Sequence, residues 1–457
     1  MENRSEDSKS KWQGRLSYLL IVIFGSSTWL GVNAVWMELP LEVAELPEGW
    51  NLPSFLAVII QLAIVGPIIY SLWEKWHKWV TGHRQWIIGA SIAFGAVSIL
   101  LLALFWHKTA KIGGDEHSVA LFLLFFCVSL VCCTSNVLFL PFMGSFRPEL
   151  MTAFFIGMGI SAFVPSVLSL IQGAGRNECV PSSSGNGSQP RQVEPLYSVG
   201  TFFGLITAWM LVALAAFVLL MLRSKPKPTL TAPSTLMQPE ELEEPTEATP
   251  VAGMKPRQYS DDDDAQSVEV EIKTPASEAG LSSAGYLLVL GLVLWVNGLM
   301  NGVLPSIQSF ACLPYGATTY HLAIVFSNMA NPIACFVPHF VQLGSNALGK
   351  LVALTAVASA LAAYIVSLAA LSPHPLLDNV AGSILCVAAY TLDFGILAYL
   401  RTVTASLLRE SEDSEVTGRR LYWYGVATQA GAFIGSIITF ILVNVAHLFT
   451  AAYITCP

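Results

Sequence analysis

The chain has 457 residues, of which 54% are hydrophobic and only 12% charged. A soluble domain carries about 25% charged residues, so this chain could not cover its surface against water, and the soluble globular classes are excluded. The net charge of −8 leaves no basic face for nucleic acid, because most of it lies in a solvated acidic tract between Arg223 and Gly280.

The apolar residues come in long uncharged runs, and a run of about 18 or more such residues spans a bilayer. Spans of this kind must be helices, since each backbone N–H and C=O has to be satisfied within the segment. The short alternating strands of a transmembrane barrel do not appear. Eleven spans are expected, near 16–37, 53–73, 86–106, 117–140, 151–172, 200–222, 284–304, 319–341, 349–371, 379–401 and 421–447.

Residues 1–15, with Arg4, Lys9, Lys11 and Arg15, are expected to be a cytosolic tail. The first span is too long for a secretory core and lacks a small-residue cleavage site, so it reads as a retained signal anchor. Of the 23 Lys and Arg, only Lys108, Lys111, Arg176 and Arg191 fall on the outer side when the N-terminus is placed inside. Odd-numbered spans then run outward, and 448–457 forms an extracellular tail. The sequon Asn186-Gly187-Ser188 falls in the outer loop 173–199 and is expected to be glycosylated, whereas Asn3-Arg4-Ser5 lies inside and stays bare.

The Pro-, Glu- and Ser-rich segment 223–281 is read as a disordered cytosolic loop. Within it Ser260 precedes Asp261 to Asp264, the pattern of an acidic-directed phosphorylation site. The loop separates an N-terminal half of six helices (16–222) from a C-terminal half of five (282–447). Leu56-Ala57-Val58-Ile59 followed by Pro67 has a counterpart in Leu322-Ala323-Ile324-Val325 followed by Pro332. Internal repeats are common in secondary transporters, whose substrates bind between the halves.

In the first span Trp29, Asn33 and Trp36 follow at spacings of four and three, which places them on one helical face. The seventh span repeats the device with Asn297, Asn301 and Pro305, followed by Gln308. Amides and indoles are costly against lipid and useful against a cavity. An amide offers a donor beside an acceptor, matching an imide edge, and an indole offers a flat stacking face. Further polar positions are Asn136 after Cys132-Cys133, and Asn328 and Asn331 before Pro332, where a helix break is expected. Each of these residues, taken singly, can also serve only as a bridge between helices.

Charge within the spans is sparse. Glu38 is placed near the outer surface, Asp393 within reach of Arg401, and His321 and His339 in the eighth span. A sodium- or proton-driven carrier usually needs acids deep in its bundle, so facilitated diffusion is expected, with weak pH modulation through Glu38 or His321. Gly157-Met-Gly159-Ile-Ser-Ala162 lacks the βαβ setting of a dinucleotide fingerprint, and Gly298/Gly302 and Gly431/Gly435 read as packing motifs. No P-loop, zinc spacing or nucleophile elbow is present, so neither an enzyme nor a metal site is expected. Five of the eight cysteines, including Cys386, fall within spans. Cys179, Cys312 and Cys456 fall outside; a Cys312–Cys456 disulfide is expected, with Cys179–Cys312 as its rival.

Four blocks carry a family resemblance. They are Trp36-Met-Glu38-Leu-Pro40 with Glu45-Leu-Pro47-Glu48-Gly49-Trp50; Cys132-Cys133-Thr-Ser135-Asn136 through Pro141-Phe142; Asn301-Gly302-Val-Leu-Pro305-Ser-Ile-Gln308-Ser309-Phe-Ala-Cys312-Leu-Pro314-Tyr315-Gly316 through Tyr320-His321-Leu-Ala323; and Ala330-Asn331-Pro332. In these the sequence resembles the animal riboflavin transporter family, solute carrier family 52. The first tail and central loop are unmatched. The resemblance implies riboflavin uptake at the plasma membrane through eleven helices, similar to nucleoside transporters of the major facilitator type. Riboflavin is then the transported substrate and no cofactor is needed. Glu38, Tyr315 and His321 join the candidate contacts, and a monomer in the lipid bilayer is the expected unit. A carrier of another flat neutral solute such as a nucleoside, and a receptor or sensor signalling through the central loop, are the competing readings.

Overall fold

The computed structural model describes residues 2–143, 146, 148–175, 177–181, 188–223, 282–339, 344, 346–409 and 414–451. The segment 225–280 separates off as a unit of its own; it and Ser260 lie outside the described residues.

The sequence predicts one continuous first span, but the chain forms two helices, α1 (Glu2–Gly25) and α2 (Leu30–Glu45), which meet at 52°. The cause is local. Ser26, Ser27 and Thr28 donate their hydroxyls to the carbonyls of Ile23, Phe24 and Gly25 at 2.7, 2.7 and 2.9 Å. These bonds satisfy carbonyls that a continued helix would have paired, at a depth where water is scarce. Trp209 Nε1 donates to Ser26 Oγ at 2.9 Å and holds the break in place.

The second span is also in two pieces, α3 (Leu52–Leu62) and α4 (Val65–Trp76). Pro67 lies in the first turn of α4, where its missing N–H has no helical partner to lose. After the short α5 (Lys78–Gly82) come α6 (Arg84–Phe105) and a hairpin of β1 (Ala110–Ile112) and β2 (Asp115–His117). Its turn residues Gly113 and Gly114 take φ of 66° and 109°, the left-handed conformation that two-residue hairpin turns demand. Next are α7 (Val119–Met143), α8 (Pro148–Gln172), the hairpin β3 (Asn177–Pro181) with β4 (Ser188–Gln192), and α9 (Val199–Arg223). Neither hairpin was expected. Glu48 binds the start of α7, its carboxylate accepting from Ser118 N at 2.9 Å and from the Ser118 hydroxyl.

The C-terminal half opens with α10 (Ser283–Gly298), a π-turn over Leu299–Val303 and α11 (Leu304–Cys312). It continues through α12 (Ala317–Phe336), α13 (Ala347–Ala370), α14 (Val380–Arg409) and α15 (Ser414–Phe440). Among the described residues nine helical stretches are long and apolar enough to cross a membrane, and the bent α1–α2 pair makes a tenth. The remaining expected span is α12, a helix of 20 residues. It falls short in apolarity because Thr319, His321, Asn328 and Asn331 lie on it. Packed against α2, α8, α11 and α14, it has little surface left to present to lipid.

Each half is drawn together by glycines at a close crossing. A Cβ on Gly157 of α8 would stand 2.2 Å from the Val22 carbonyl oxygen of α1, and one on Gly435 of α15 would stand 2.4 Å from that of Gly298. These crossings join the first span of each half to its fifth, the pairing a sixfold-offset repeat demands. Phe24 anchors the N-terminal core against Phe139, Phe154 and Phe217 at centroid distances of 5.0, 5.5 and 5.0 Å.

Candidate substrate site and closed end

From Leu30 to Val43 of α2 every residue is buried except Asn33 and Trp36, and Trp29 just before the helix is half-buried too. The three expected residues are therefore the face that α2 leaves uncovered. α2 packs against α7, α8, α9 and α12, so this face looks into the bundle. Trp29 Nε1 donates to Asn136 Oδ1 of α7 at 3.4 Å, and Asn33 Nδ2 to Ser161 Oγ of α8 at 3.5 Å. In the other half Asn301 sits within the π-turn and donates from Nδ2 to Asn297 Oδ1 at 3.2 Å. Asn297 is fully buried and donates in turn to the Val293 carbonyl at 2.8 Å. Asn301 thus presents to the interior while Asn297 stands behind it. Asn328 and Asn331 are half-buried on α12, Asn328 donating to the Ile324 carbonyl at 3.0 Å and Asn331 Oδ1 accepting from Cys335 Sγ at 3.9 Å.

The halves meet mainly through α2, α3, α8, α11, α12 and α15, whereas the principal contacts of α1 and α4 stay within their own half. The bundle is closed at the end where α2 and α3 join. There Ser309 Oγ donates to the Trp50 carbonyl at 2.5 Å and Trp50 meets Phe310 edge-on at 5.9 Å. Asn444 Nδ2 donates to Ser54 Oγ at 2.7 Å, and Phe55 meets Phe440 at 5.1 Å. Ser169 of α8 bonds His321 Nε2 of α12 at 2.8 Å and the Met37 carbonyl at 3.2 Å. Thr318 donates to the Gly175 carbonyl at 2.9 Å.

Across residues 14–451 the chain matches the family described as "Solute carrier family 52, riboflavin transporter". It belongs to that family. The chain is 37% identical to riboflavin transporter rft-2 of Caenorhabditis elegans, over 95% of this chain and 97% of that protein. It is also 37% identical to solute carrier family 52, riboflavin transporter, member 1 of Homo sapiens, over 95% of each. Among solved structures, the nucleoside transporter NupG aligns with a TM-score of 0.50 over 93% of this chain and 88% of that one. A bacterial homolog to the human lysosomal transporter Spinster gives 0.50 over 94% and 83%. At 13% and 10% identity these show the fold alone, a bundle of membrane-length helices.

Within this solute carrier 52 chain several expected placements change. Glu38, expected close to the surface, is fully buried, with Oε2 accepting from Gln172 Nε2 at 3.3 Å. Glu42, one helical turn on, is equally buried, and neither of its oxygens has a hydrogen-bond partner among the described residues. Glu42 escapes the sequence reading because 38–53 looks like a loop; with α2 continued to Glu45, its i+4 spacing from Glu38 puts both acids on one face. Asp393 does not reach Arg401. Its oxygens have no partner among the described residues, and Arg401 Nη1 approaches Met300 Sδ at 3.6 Å. Gln308 is buried beside the closure, and Tyr315 is half-buried with its ring near Gly382, so neither joins the stripe. Ser161, Ser169 and Gln172 carry no motif and become visible only through their partners.

Cys312 does not lie in an open loop: it ends α11, fully buried. Cys456 and Asn186 lie outside the described residues, as do the side chains of Cys179 and His339. A cleft of about 500 Å³ lined by Trp73, Trp79, Trp86 and Phe94 opens between α4, α6 and α7, and its lining includes none of the stripe residues.

Proposed function

We propose that the chain carries riboflavin into cells across the plasma membrane by sodium-independent facilitated diffusion with alternating access. Eleven spans hold the N-terminus in the cytosol and the C-terminus outside, and one chain is the working unit. The observation that carries this reading is the uncharged stripe Trp29, Asn33 and Trp36, the uncovered face of an otherwise buried helix, in a chain of the riboflavin transporter family. A flat ring with an imide edge is served by indole faces and side-chain amides, and a polyol chain by neutral hydrogen bonds. Asn136, Asn301, Asn328 and Asn331 supply the remaining amides. Glu38, Gln308 and His321 act at the closed end, and Asn297 supports Asn301 from behind. With closure at the α2–α3 end, the stripe communicates with the cytosolic side, and opening must break the Trp50–Ser309 and Ser54–Asn444 contacts.

A proton-linked form of the same cycle is favoured by one observation. Glu38 and Glu42 lie buried between the halves at the closure with three of four carboxylate oxygens unpartnered among the described residues, and a carboxylate that meets water only in one state of a cycle responds to pH.

The test is uptake of labelled riboflavin by cells expressing the chain, with sodium and proton gradients imposed or collapsed. Saturable uptake indifferent to both gradients supports facilitated diffusion. Uptake that follows the proton gradient and loses that dependence in Glu42→Gln supports the second form. Competition by nucleosides as strong as by unlabelled riboflavin rejects the substrate, and no uptake from surface-expressed chain rejects the reading entirely.

A further inference from the structure

Cys312 and Cys386 are both fully buried, on different helices, with their sulfurs 3.5 Å apart. Cys312 is the last residue of α11, and Cys386 lies in the second turn of α14. One turn further along α14, Tyr390 Oη donates to the Leu304 carbonyl of α11 at 3.4 Å and fixes the two helices in this register. Nearer its start α14 is held to α12, where the hydroxyls of Ser383 and Thr319 are bonded. Cys386 Sγ itself lies 3.7 Å from the Ala311 carbonyl oxygen. From that position side-chain rotation and a small approach bring the sulfurs to the bonding distance of about 2.05 Å.

We propose that Cys312 and Cys386 form a disulfide that staples α11 to α14. It replaces Cys456 and Cys179 as the partner of Cys312. The inference rests on the orientation proposed above, which exposes this corner to the oxidising secretory lumen during synthesis. The oxidant is a small-molecule or protein disulfide. One cysteine thiolate attacks it, releasing a thiol and leaving a mixed disulfide; the second thiolate then displaces the other thiol. The chain loses two S–H bonds and gains one S–S bond, while the oxidant accepts the two electrons and the two protons. Because both sulfurs are buried in the folded chain, exchange precedes the closing of α14 on α11, and the finished bond is shielded from external reductant. The staple fixes the C-terminal side of the closure, since α11 carries Ser309 and Phe310 against Trp50.

The test takes full-length protein in membranes, denatures it in an alkylating reagent without reductant, and maps the peptides by mass spectrometry. The expected result is a linked Cys312–Cys386 peptide pair, both residues alkylated only after reduction, with Cys312 becoming alkylated without reductant in Cys386→Ala. Free thiols at both positions overturn the staple, as does a link from Cys312 to Cys456 or Cys179, or a Cys312 still blocked in Cys386→Ala. A C-terminal epitope stained on intact cells separates the two levels. Staining with free thiols overturns the staple alone; an epitope reached only after permeabilisation overturns the orientation and the staple together.

Discussion

The first span of each half is interrupted near its middle, and the two halves treat the interruption differently. Between α1 and α2 the freed carbonyls are each met by a hydroxyl three residues further along the chain, on Ser26, Ser27 and Thr28. Between α10 and α11 the helix widens into a π-turn ahead of Pro305, which has no N–H to offer the Asn301 carbonyl four residues back. That carbonyl is approached instead by Ser436 Oγ of α15 at 3.4 Å. One break meets its carbonyls within its own segment, with Trp209 of α9 bonded only to a hydroxyl; at the other a carbonyl is met from a neighbouring helix. The carbonyls of the N-terminal bend are therefore satisfied locally, while the geometry around Asn301 follows α15, which also touches α3 of the other half.

The strongest way to break the comparison is at the glycine crossings beneath both interruptions. Gly157→Leu and Gly435→Leu place a branched side chain where a Cβ alone stands 2.2 and 2.4 Å from a backbone oxygen. Helices held this closely cannot separate without losing the small-residue packing that joins them. Both variants are expected to lose mature surface protein almost completely, measured by surface biotinylation. Retention by Gly435→Leu alone would mean that the α10–α15 crossing is looser than α1–α8, and that the π-turn needs no fixed partner.

The next effect is on transport. Asn33→Ala and Asn301→Ala should each lower uptake at least about tenfold at unchanged surface level, equivalent to about 1.4 kcal/mol. Asn297→Ala should act more on stability than on uptake, since its amide is buried and spent on Val293 and Asn301. Equal loss of uptake at unchanged surface level in all three would place Asn297 in contact with substrate.

The stripe on α2 was legible because its period was helical and its residues were costly against lipid. The spans were legible for the same reason, with one instructive exception. On α12 the polar residues that lower its apolarity are those that pack it between other helices, so the property that marks it as interior also weakens it as a span. The α1–α2 break was not legible, because Ser-Ser-Thr after glycine continues an uncharged run and only the hydroxyl geometry ends the helix. Glu42 was missed and Asp393 misplaced for a related reason. A carboxylate reads as surface-seeking or paired, and burial without a partner among the described residues depends on neighbours that other helices bring. Cys386 looked like an inert packing group until α11 placed Cys312 beside it.

The smallest effect sharpens the comparison most. Ser27→Ala removes one hydroxyl–carbonyl bond from the N-terminal break, and Ser436→Ala removes one from the C-terminal break. A net intramolecular hydrogen bond is worth about 1 kcal/mol, so the two should lower thermal stability in detergent by similar small amounts. They should differ in uptake. Ser27 acts within its own turn, so Ser27→Ala is expected to leave the apparent affinity for riboflavin unchanged. Ser436 links α15 to the residue that presents the Asn301 amide, so Ser436→Ala is expected to raise the half-saturating concentration about threefold at equal surface level. If the two variants shift that concentration alike, the C-terminal break is as self-contained as the N-terminal one and the dependence on α15 is only a packing contact. If Ser436→Ala alone shifts it, the π-turn is the element through which α15 reaches the substrate.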